Sequence, residues 1–126
     1  MADNNYLQLN NIEAYRISFR LSNYVWMIVV EWDYFSKNAL GRQFTRAVDS
    51  ISANIAEGFG RFTKKDKICF YRYSYGSLKE ALDWNQKAKI RGLLIEDRYN
   101  HIFSELQKLP KSIHQLIKFT DLKLIK

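Results

Sequence analysis

The stretch from Arg46 to Gly60 constrains the fold more than any other part of the chain. Its apolar residues recur at a spacing of three or four, which places them on one side of a helix. These residues are Val48, Ile51, Ile55 and Phe59. Small side chains such as Ala53 and Ala56 lie beside them, and a helix of this kind suits contact on more than one side. The pattern therefore predicts a helix near the middle of a helical bundle.

A polar line follows the same helix at a spacing of three or four residues. It consists of Arg46, Ser50, Asn54 and Glu57. Buried polar groups need hydrogen-bond partners, and a later helix offers them in Ser74, Ser77 and Glu80. We interpret the line as a structural network that fixes how two helices dock, and a ligand site is the alternative.

Apolar periodicity predicts four long helices, joined by short connections. They cover residues 12–35, 42–59, 64–91 and 96–122. Residues 1–11 form a flexible N-terminus, residues 12–122 one domain, and residues 123–126 a basic tail. Thr63 is the expected N-cap of the third helix and Gly92 its C-terminal cap. Short connections predict an all-α, up-down-up-down antiparallel four-helix bundle.

Two residues inside helices, and the apolar surface of the first helix, lead to further predictions. Pro110 lies inside the fourth helix, so we expect a kink there or two abutting helices. Gly76 lies inside the third helix, where glycine costs about 1 kcal/mol relative to alanine, and this suggests close approach of a neighbouring backbone. The first helix has two apolar rows, one through Phe19 and Trp26 and one through Leu21 and Ile28, which implies a central position or a subunit interface.

Charge is distributed unevenly along the chain. Residues 1–60 contain five Lys/Arg and six Asp/Glu, a net −1, whereas residues 61–126 contain fifteen and seven, a net +8. The two sums give the net charge of +7 for the whole chain. A basic half beside a neutral half suggests an anionic partner, and a solvated surface is the alternative.

Basic residues on the third helix form the candidate nucleic-acid-binding site. Lys65, Arg72 and Lys79 are seven residues apart, so they drift only slightly around one face. The complete candidate set is Arg61, Lys64, Lys65, Arg72, Lys79 and Lys87. Such a row can follow phosphates, and the alternative is a face that only keeps the bundle solvated. The tyrosines at positions 71, 73 and 75 fall on the packing rows, so we expect them in the core or an interface.

No residue set predicts catalysis, a metal site or a cofactor. Neither His101 nor His114 has a glutamate three residues before it, so the di-iron motif of helical bundles is missing, and we expect both on helix surfaces. Cys69 is the only cysteine and lacks a nearby histidine, which favours an inert buried thiol. The longest apolar run, 25–30, is too short to cross a bilayer and no secretory signal is visible, so we expect a cytoplasmic protein.

Two motifs resemble a known family. Residues Ser50 to Arg61 read S-I-S-A-N-I-A-E-G-F-G-R, and Gly76 to Glu80 read G-S-L-K-E. Over residues 12–120 the chain is similar to the four-helix bundle proteins encoded in intervening sequences of bacterial large-subunit ribosomal RNA genes. The accessory variability determinants of diversity-generating retroelements are related to that family. Tyr75 departs from the family pattern, where many members have arginine before Gly-Ser.

The resemblance implies a ring-like homopentamer and, for the retroelement relatives, a reverse transcriptase partner and nucleic-acid binding through a basic surface. The motif positions that it carries over are Ser50, Asn54, Glu57, Gly58, Gly60, Arg61, Gly76, Ser77 and Glu80. We therefore expect a non-enzymatic homo-oligomer. Its ligand would be nucleic acid such as RNA, or a nucleoprotein complex, bound through the basic face of the third helix. The alternative is a protein–protein scaffold or accessory subunit for a reverse transcriptase.

Overall fold

The computed structural model of the protein describes residues 8–124, which are helical and contain no strand. Most of the predicted flexible N-terminus and the end of the basic tail lie outside this range. Four long helices contain most of the described chain. They are α1 (Glu13–Val29), α2 (Arg42–Gly60), α3 (Lys64–Ile90) and α4 (Glu96–Lys123). A short 3-10 helix, Leu9–Asn11, precedes α1.

The junction between α1 and α2 differs from the sequence prediction. Helix α1 ends at Val29 instead of reaching Phe35, and the chain turns before Asp33, whose carboxylate accepts a hydrogen bond from the Ser36 N–H at 3.1 Å. The predicted connection is helical: Tyr34–Ser36 is α-helical and Lys37–Gly41 forms a π-helical turn that leads directly into α2. Helical structure thus begins again eight residues before the predicted start of the second helix.

The hydrophobic core lies among the four long helices. Each helix contacts two others: α1 packs on α2 and α4, and α3 packs on α2 and α4. The apolar residues of α4 that recur at helical spacing face this core: Ile102, Leu106, Leu109, Ile113 and Leu116 are buried, and Ile117 is half-buried. On α3 the buried face also includes two polar residues, and both make a hydrogen bond to a neighbouring helix. Ser74 Oγ donates to the Ile51 carbonyl oxygen at 2.8 Å, and Asn85 Nδ2 donates to the Tyr99 carbonyl oxygen at 3.4 Å.

Both caps predicted for α3 are confirmed. The Thr63 side chain accepts a hydrogen bond from the Asp66 N–H at 3.1 Å. At the other end, Gly92 has a φ of 77° and its N–H bonds to the Lys89 carbonyl oxygen, while the Leu93 N–H bonds to the Ala88 carbonyl oxygen. This pair of bonds is a Schellman motif, which requires the left-handed conformation that glycine adopts most easily.

The structure differs from the sequence predictions at Pro110 and Gly76. Helix α4 continues through Pro110 without a break, so the interpretation as two abutting helices is wrong. Gly76 is exposed, and within residues 8–124 a β-carbon built there has no atom within 4 Å apart from its chain neighbours and the adjacent backbone of its own helix. No backbone within the described residues therefore approaches Gly76.

Candidate nucleic-acid interface

Three basic side chains on α3 form a row that we call the α3 strip: Lys65, Arg72 and Lys79. All three are exposed, on the side of α3 opposite its buried residues Tyr71, Leu78 and Ala81. Successive positions seven apart are offset by only about 20° on an ideal helix, so the charges lie along one line. The structure thus directs the row into solvent and away from the core of this chain.

The α3 strip makes no ion pair within residues 8–124. Lys79 Nζ lies 5.3 Å from the centroid of the Tyr75 ring, a cation–π contact that leaves the ammonium group accessible. Lys65 and Arg72 line a shallow groove with Lys64 and Asp121, where the beginning of α3 meets the end of α4. These cations are available to an external anion.

The other three candidate cations are each held by a carboxylate. Arg61 pairs with Glu57 at 2.8 Å and lies over the Phe70 ring at 4.5 Å. Lys87 pairs with Asp83 at 2.6 Å, and Lys64 pairs with Asp121 at 3.5 Å. A phosphate would have to compete with these partners, so the candidate site divides into three free and three paired cations.

Lys67 belongs to the basic segment of the sequence, but its ammonium group contacts α2 of the same chain. Its ammonium group donates to the Phe59 carbonyl oxygen at 2.6 Å and lies 5.5 Å from the centroid of the Phe59 ring. Burial disfavours the charged form and lowers the pKa of Lys67. Lys67 thus links the beginning of α3 to the end of α2, and it is not part of the α3 strip.

Of the predicted polar network between α2 and α3, only Ser74 bonds across the two helices within residues 8–124, and it donates to the Ile51 carbonyl oxygen and not to a side chain of α2. Asn54 Nδ2 donates to the Ser50 carbonyl oxygen of its own helix, Glu57 pairs with Arg61, and Glu80 accepts from Trp84 Nε1 at 3.1 Å. The bonds are local because Arg46, Glu57 and Glu80 are exposed and Ser50, Asn54 and Ser77 only half-buried. Of the nine motif positions that the family resemblance carries over, only Gly58 is buried between the helices.

Sequence reasoning missed a row of exposed basic residues on α4, of which the middle one contacts α3. Lys111, His114 and Lys118 are exposed and spaced by three and four residues, which places them on one face. The His114 ring lies 5.1 Å from the Tyr75 ring of α3, measured between centroids. The spacing alone could have indicated this face. The Tyr75 contact, which joins it to α3, requires the structure.

The remaining sequence predictions concern Cys69, the two histidines, metal binding and membrane-spanning helices. Cys69 is half-buried, so the expected buried thiol is only partly enclosed. Both histidines are on helix surfaces, as predicted. Among residues 8–124, no three His, Cys, Asp or Glu side chains are grouped so that they could hold a metal ion. Within the same range, no helix has the length and apolarity needed to cross a membrane.

The fold and this surface define an all-helical protein with a strongly basic outer face. The sequence model of the 23S rRNA-intervening sequence protein family matches residues 10–115, and the chain belongs to this family. The expected family resemblance is thereby confirmed. No protein in a search of curated proteins matches the chain.

A similar fold occurs in a crystal structure from Bacteroides thetaiotaomicron, described as a protein with unknown function from the S23 ribosomal protein family. The TM-score is 0.72 at 17% sequence identity, and the match covers 82% of this chain and 97% of the other. At this identity the likeness supports the fold and not a shared activity.

Proposed function

We propose that this protein is a non-enzymatic, homo-oligomeric helical bundle that binds nucleic acid or a nucleoprotein complex through the α3 strip. The observation that carries the proposal is the exposure of Lys65, Arg72 and Lys79 in one line, each without a carboxylate partner in the described chain. Cations arranged in this way release counterions from a phosphate backbone and gain affinity from that release. The family description, which refers to an intervening sequence of 23S rRNA, supports RNA as the ligand. A cytoplasmic location belongs to the same proposal.

Binding to labelled RNA and DNA at about 100 mM salt tests this proposal, because surface attraction is already screened at that concentration. The triple variant K65Q/R72Q/K79Q removes the α3 strip. The control R16Q/R20Q/R42Q removes three positive charges from exposed residues of α1 and α2. We expect the first variant to lose at least about tenfold in affinity and the control to stay near wild type. Equal losses would show that only net charge matters and would reject the α3 strip as the site.

We also propose that the four helices run up-down-up-down. Several contacts support this arrangement, since residue numbers rise along one helix as they fall along its neighbour. Between α1 and α4, Glu13 bonds Ser112 whereas Tyr24 contacts His101. The same trend holds between α3 and α4, where Lys64 reaches Asp121 and Asn85 bonds the Tyr99 backbone.

Self-association is part of the proposal, and the exposed face of α1 supports it. Phe19 and Trp26 are 51% and 57% exposed, and Val30 continues the same row. Exposed apolar surface of this kind is typical of interaction sites. The resemblance implies a ring-like homopentamer. A sedimentation experiment that shows only the 15 kDa monomer at micromolar concentration would exclude the assembly.

The alternative function uses the same apolar face differently. In a scaffold or accessory subunit of a diversity-generating retroelement, Phe19, Trp26 and Val30 would contact a reverse transcriptase and nucleic-acid binding would be incidental. A protein that stays monomeric, binds no RNA or DNA, and copurifies with a coexpressed reverse transcriptase from its own genomic neighbourhood would favour this alternative.

A further inference from the structure

A continuous row of side chains connects the α3 strip with α4. Lys79 Nζ lies 5.3 Å from the Tyr75 ring centroid, and the Tyr75 ring lies 5.1 Å from the His114 ring at an interplanar angle of 43°. Tyr75 is half-buried and His114 is exposed. Two aromatic rings thus meet at the surface, next to a cation, where the two helices pack.

His114 also belongs to a second row of cationic side chains, the α4 strip, which comprises Lys111, His114 and Lys118. All three are exposed, and none of them makes an ion pair or a side-chain hydrogen bond within residues 8–124. Between residues 106 and 124 the only carboxylate is Asp121, and Lys64 already contacts it. The single carboxylate of this half-helix, three residues after Lys118, is therefore already paired with α3, and neither Lys111 nor His114 has a carboxylate within four residues on α4.

Much of the positive charge of the chain lies in these two half-helices. Residues 61–79 contain six Lys/Arg and one Asp, and residues 109–124 contain three Lys and one Asp, which gives nine positive and two negative charges, a net +7. The segments lie side by side, as the Lys64–Asp121 and Tyr75–His114 contacts show. Close grouping of like charge raises the local potential and attracts a polyanion.

We propose that the α3 strip and the α4 strip together form one site for a single strand of nucleic acid, with the Tyr75–His114 pair as its stacking platform. This inference rests on the proposed function and extends it. Packed helices have axes about 8–10 Å apart, so the strips form two neighbouring rows. Cations that follow the backbone, combined with aromatic rings that accept base faces, are the features that bind single strands without sequence preference. RNA and DNA strands share this chemistry.

Two variants of α4 test the site. The triple variant K111Q/H114Q/K118Q removes the α4 strip. The control R98Q/H101Q/K108Q removes the same types of charge from other exposed positions of α4, including a histidine whose ring lies 4.4 Å from that of Tyr24. The probes are unstructured RNA and DNA oligonucleotides of one sequence, together with the corresponding duplexes. Circular dichroism melting verifies that every variant is folded.

We expect the α4 triple variant to bind both single strands at least about tenfold more weakly than wild type and the control to bind within about twofold. We also expect the wild type to prefer single strands over duplexes. If the α3 variant loses affinity but the α4 variant matches its control, the inference is overturned and the proposed function stands. If the wild type binds none of the probes, the proposed function fails as well.

Fluorescence of 2-aminopurine in the single strand tests the stacking platform directly. Bound wild type should quench the fluorophore at one or more positions, and His114→Ala should reduce that quenching, whereas His101→Ala should not. Quenching that is the same in both variants would contradict the platform, even if the charge variants weaken binding.

Discussion

At the scale of single residues, Gly58 shows how closely α2 and α3 pack. An ideal β-carbon at this position would lie 2.7 Å from Cε1 and 2.9 Å from Cδ1 of the Tyr71 ring, and 3.0 Å from the Lys67 carbonyl oxygen. Tyr71 is 2% exposed and is the largest fully buried side chain among the described residues. A β-carbon at position 58 would force this buried ring to shift, so the packing and not a turn accounts for the glycine.

We predict that Gly58→Ala lowers the free energy of unfolding by about 1–3 kcal/mol, because overpacking outweighs the helix propensity that alanine adds. Gly60→Ala is the matched control, since within residues 8–124 a β-carbon built there meets no atom within 4 Å beyond its chain neighbours and the adjacent backbone of α2. Thermal or urea unfolding measures both. A Gly58→Ala protein as stable as wild type would show that the contact between α2 and α3 is looser than these distances indicate.

Tyr71 predicts a specific loss of stability at alkaline pH. Burial raises the pKa of Tyr71 to about 12, while a contact with the Thr120 hydroxyl acts in the opposite direction. The raised pKa means that the unfolded chain loses this proton near pH 10, whereas the folded chain retains it up to about pH 12. The contribution to stability is therefore complete below pH 10 and disappears as the pH rises from about 10 to 12.

Urea unfolding at about pH 8 and pH 11 tests this linkage. We expect wild type to lose roughly 1–1.5 kcal/mol more than Tyr71→Phe over this interval, since one pH unit above the unfolded pKa corresponds to about 1.4 kcal/mol. Tyr34→Phe, which removes an exposed tyrosine, should behave as wild type. Identical losses in wild type and Tyr71→Phe would contradict the assignment of this effect to Tyr71.

At the scale of helices, the N-cap of α3 is the most direct target. Thr63→Ala removes the acceptor of the Asp66 N–H bond, and we predict a loss of about 1 kcal/mol in the free energy of unfolding. Thr63→Ser retains a hydroxyl and should restore most of that loss. The measurement is urea unfolding of both variants, and equal stability of Thr63→Ala and wild type would show that water replaces the cap.

The helices were predictable wherever a local signal marks their ends. Thr63 and Gly92 carry such signals, and both ends of α3 were predicted to within one residue. The break after Val29 was missed because apolar residues at positions 32 and 35 continue the helical spacing beyond it. The compact turn depends on Gly41, where a β-carbon would lie 2.7 Å from Val29 Cγ1, and sequence spacing cannot show such a contact.

For the candidate site, sequence spacing indicated which cations share one line but not which of them are free. The pairing of Lys64 with Asp121 joins residues 57 positions apart, and only the packing of α3 on α4 brings them together. The same packing brings His114 to Tyr75. Ion pairs within one helix, such as Lys87 with Asp83, can be predicted from a spacing of four residues.

At the scale of the whole molecule, two different surfaces belong to different helices. The exposed apolar residues Phe19, Trp26 and Val30 lie on α1, whereas the basic strips lie on α3 and α4. A molecule built in this way can associate through one surface and bind a polyanion through another. Assembly would then repeat the basic surface and strengthen its field.

We predict that Phe19→Glu combined with Trp26→Glu shifts the protein from oligomer to monomer, because charged side chains would be buried in the proposed interface. Met27→Glu is the control, because Met27 is 69% exposed but lies about 100° from Trp26 around α1. Sedimentation velocity at micromolar concentration measures the change. An oligomer that survives the double substitution would place the interface elsewhere.

The salt dependence of RNA binding measures how many phosphates the α3 strip contacts. The logarithm of the binding constant should fall linearly with the logarithm of salt concentration, with a slope of about −0.7 for each phosphate contact to a single strand. We predict that K65Q/R72Q/K79Q makes this slope shallower by about 2, corresponding to three lost contacts, while R16Q/R20Q/R42Q leaves it unchanged. A slope that is the same in wild type and in the α3 variant would show that the α3 strip makes no contact with phosphate, and nucleic-acid binding through this strip would be excluded.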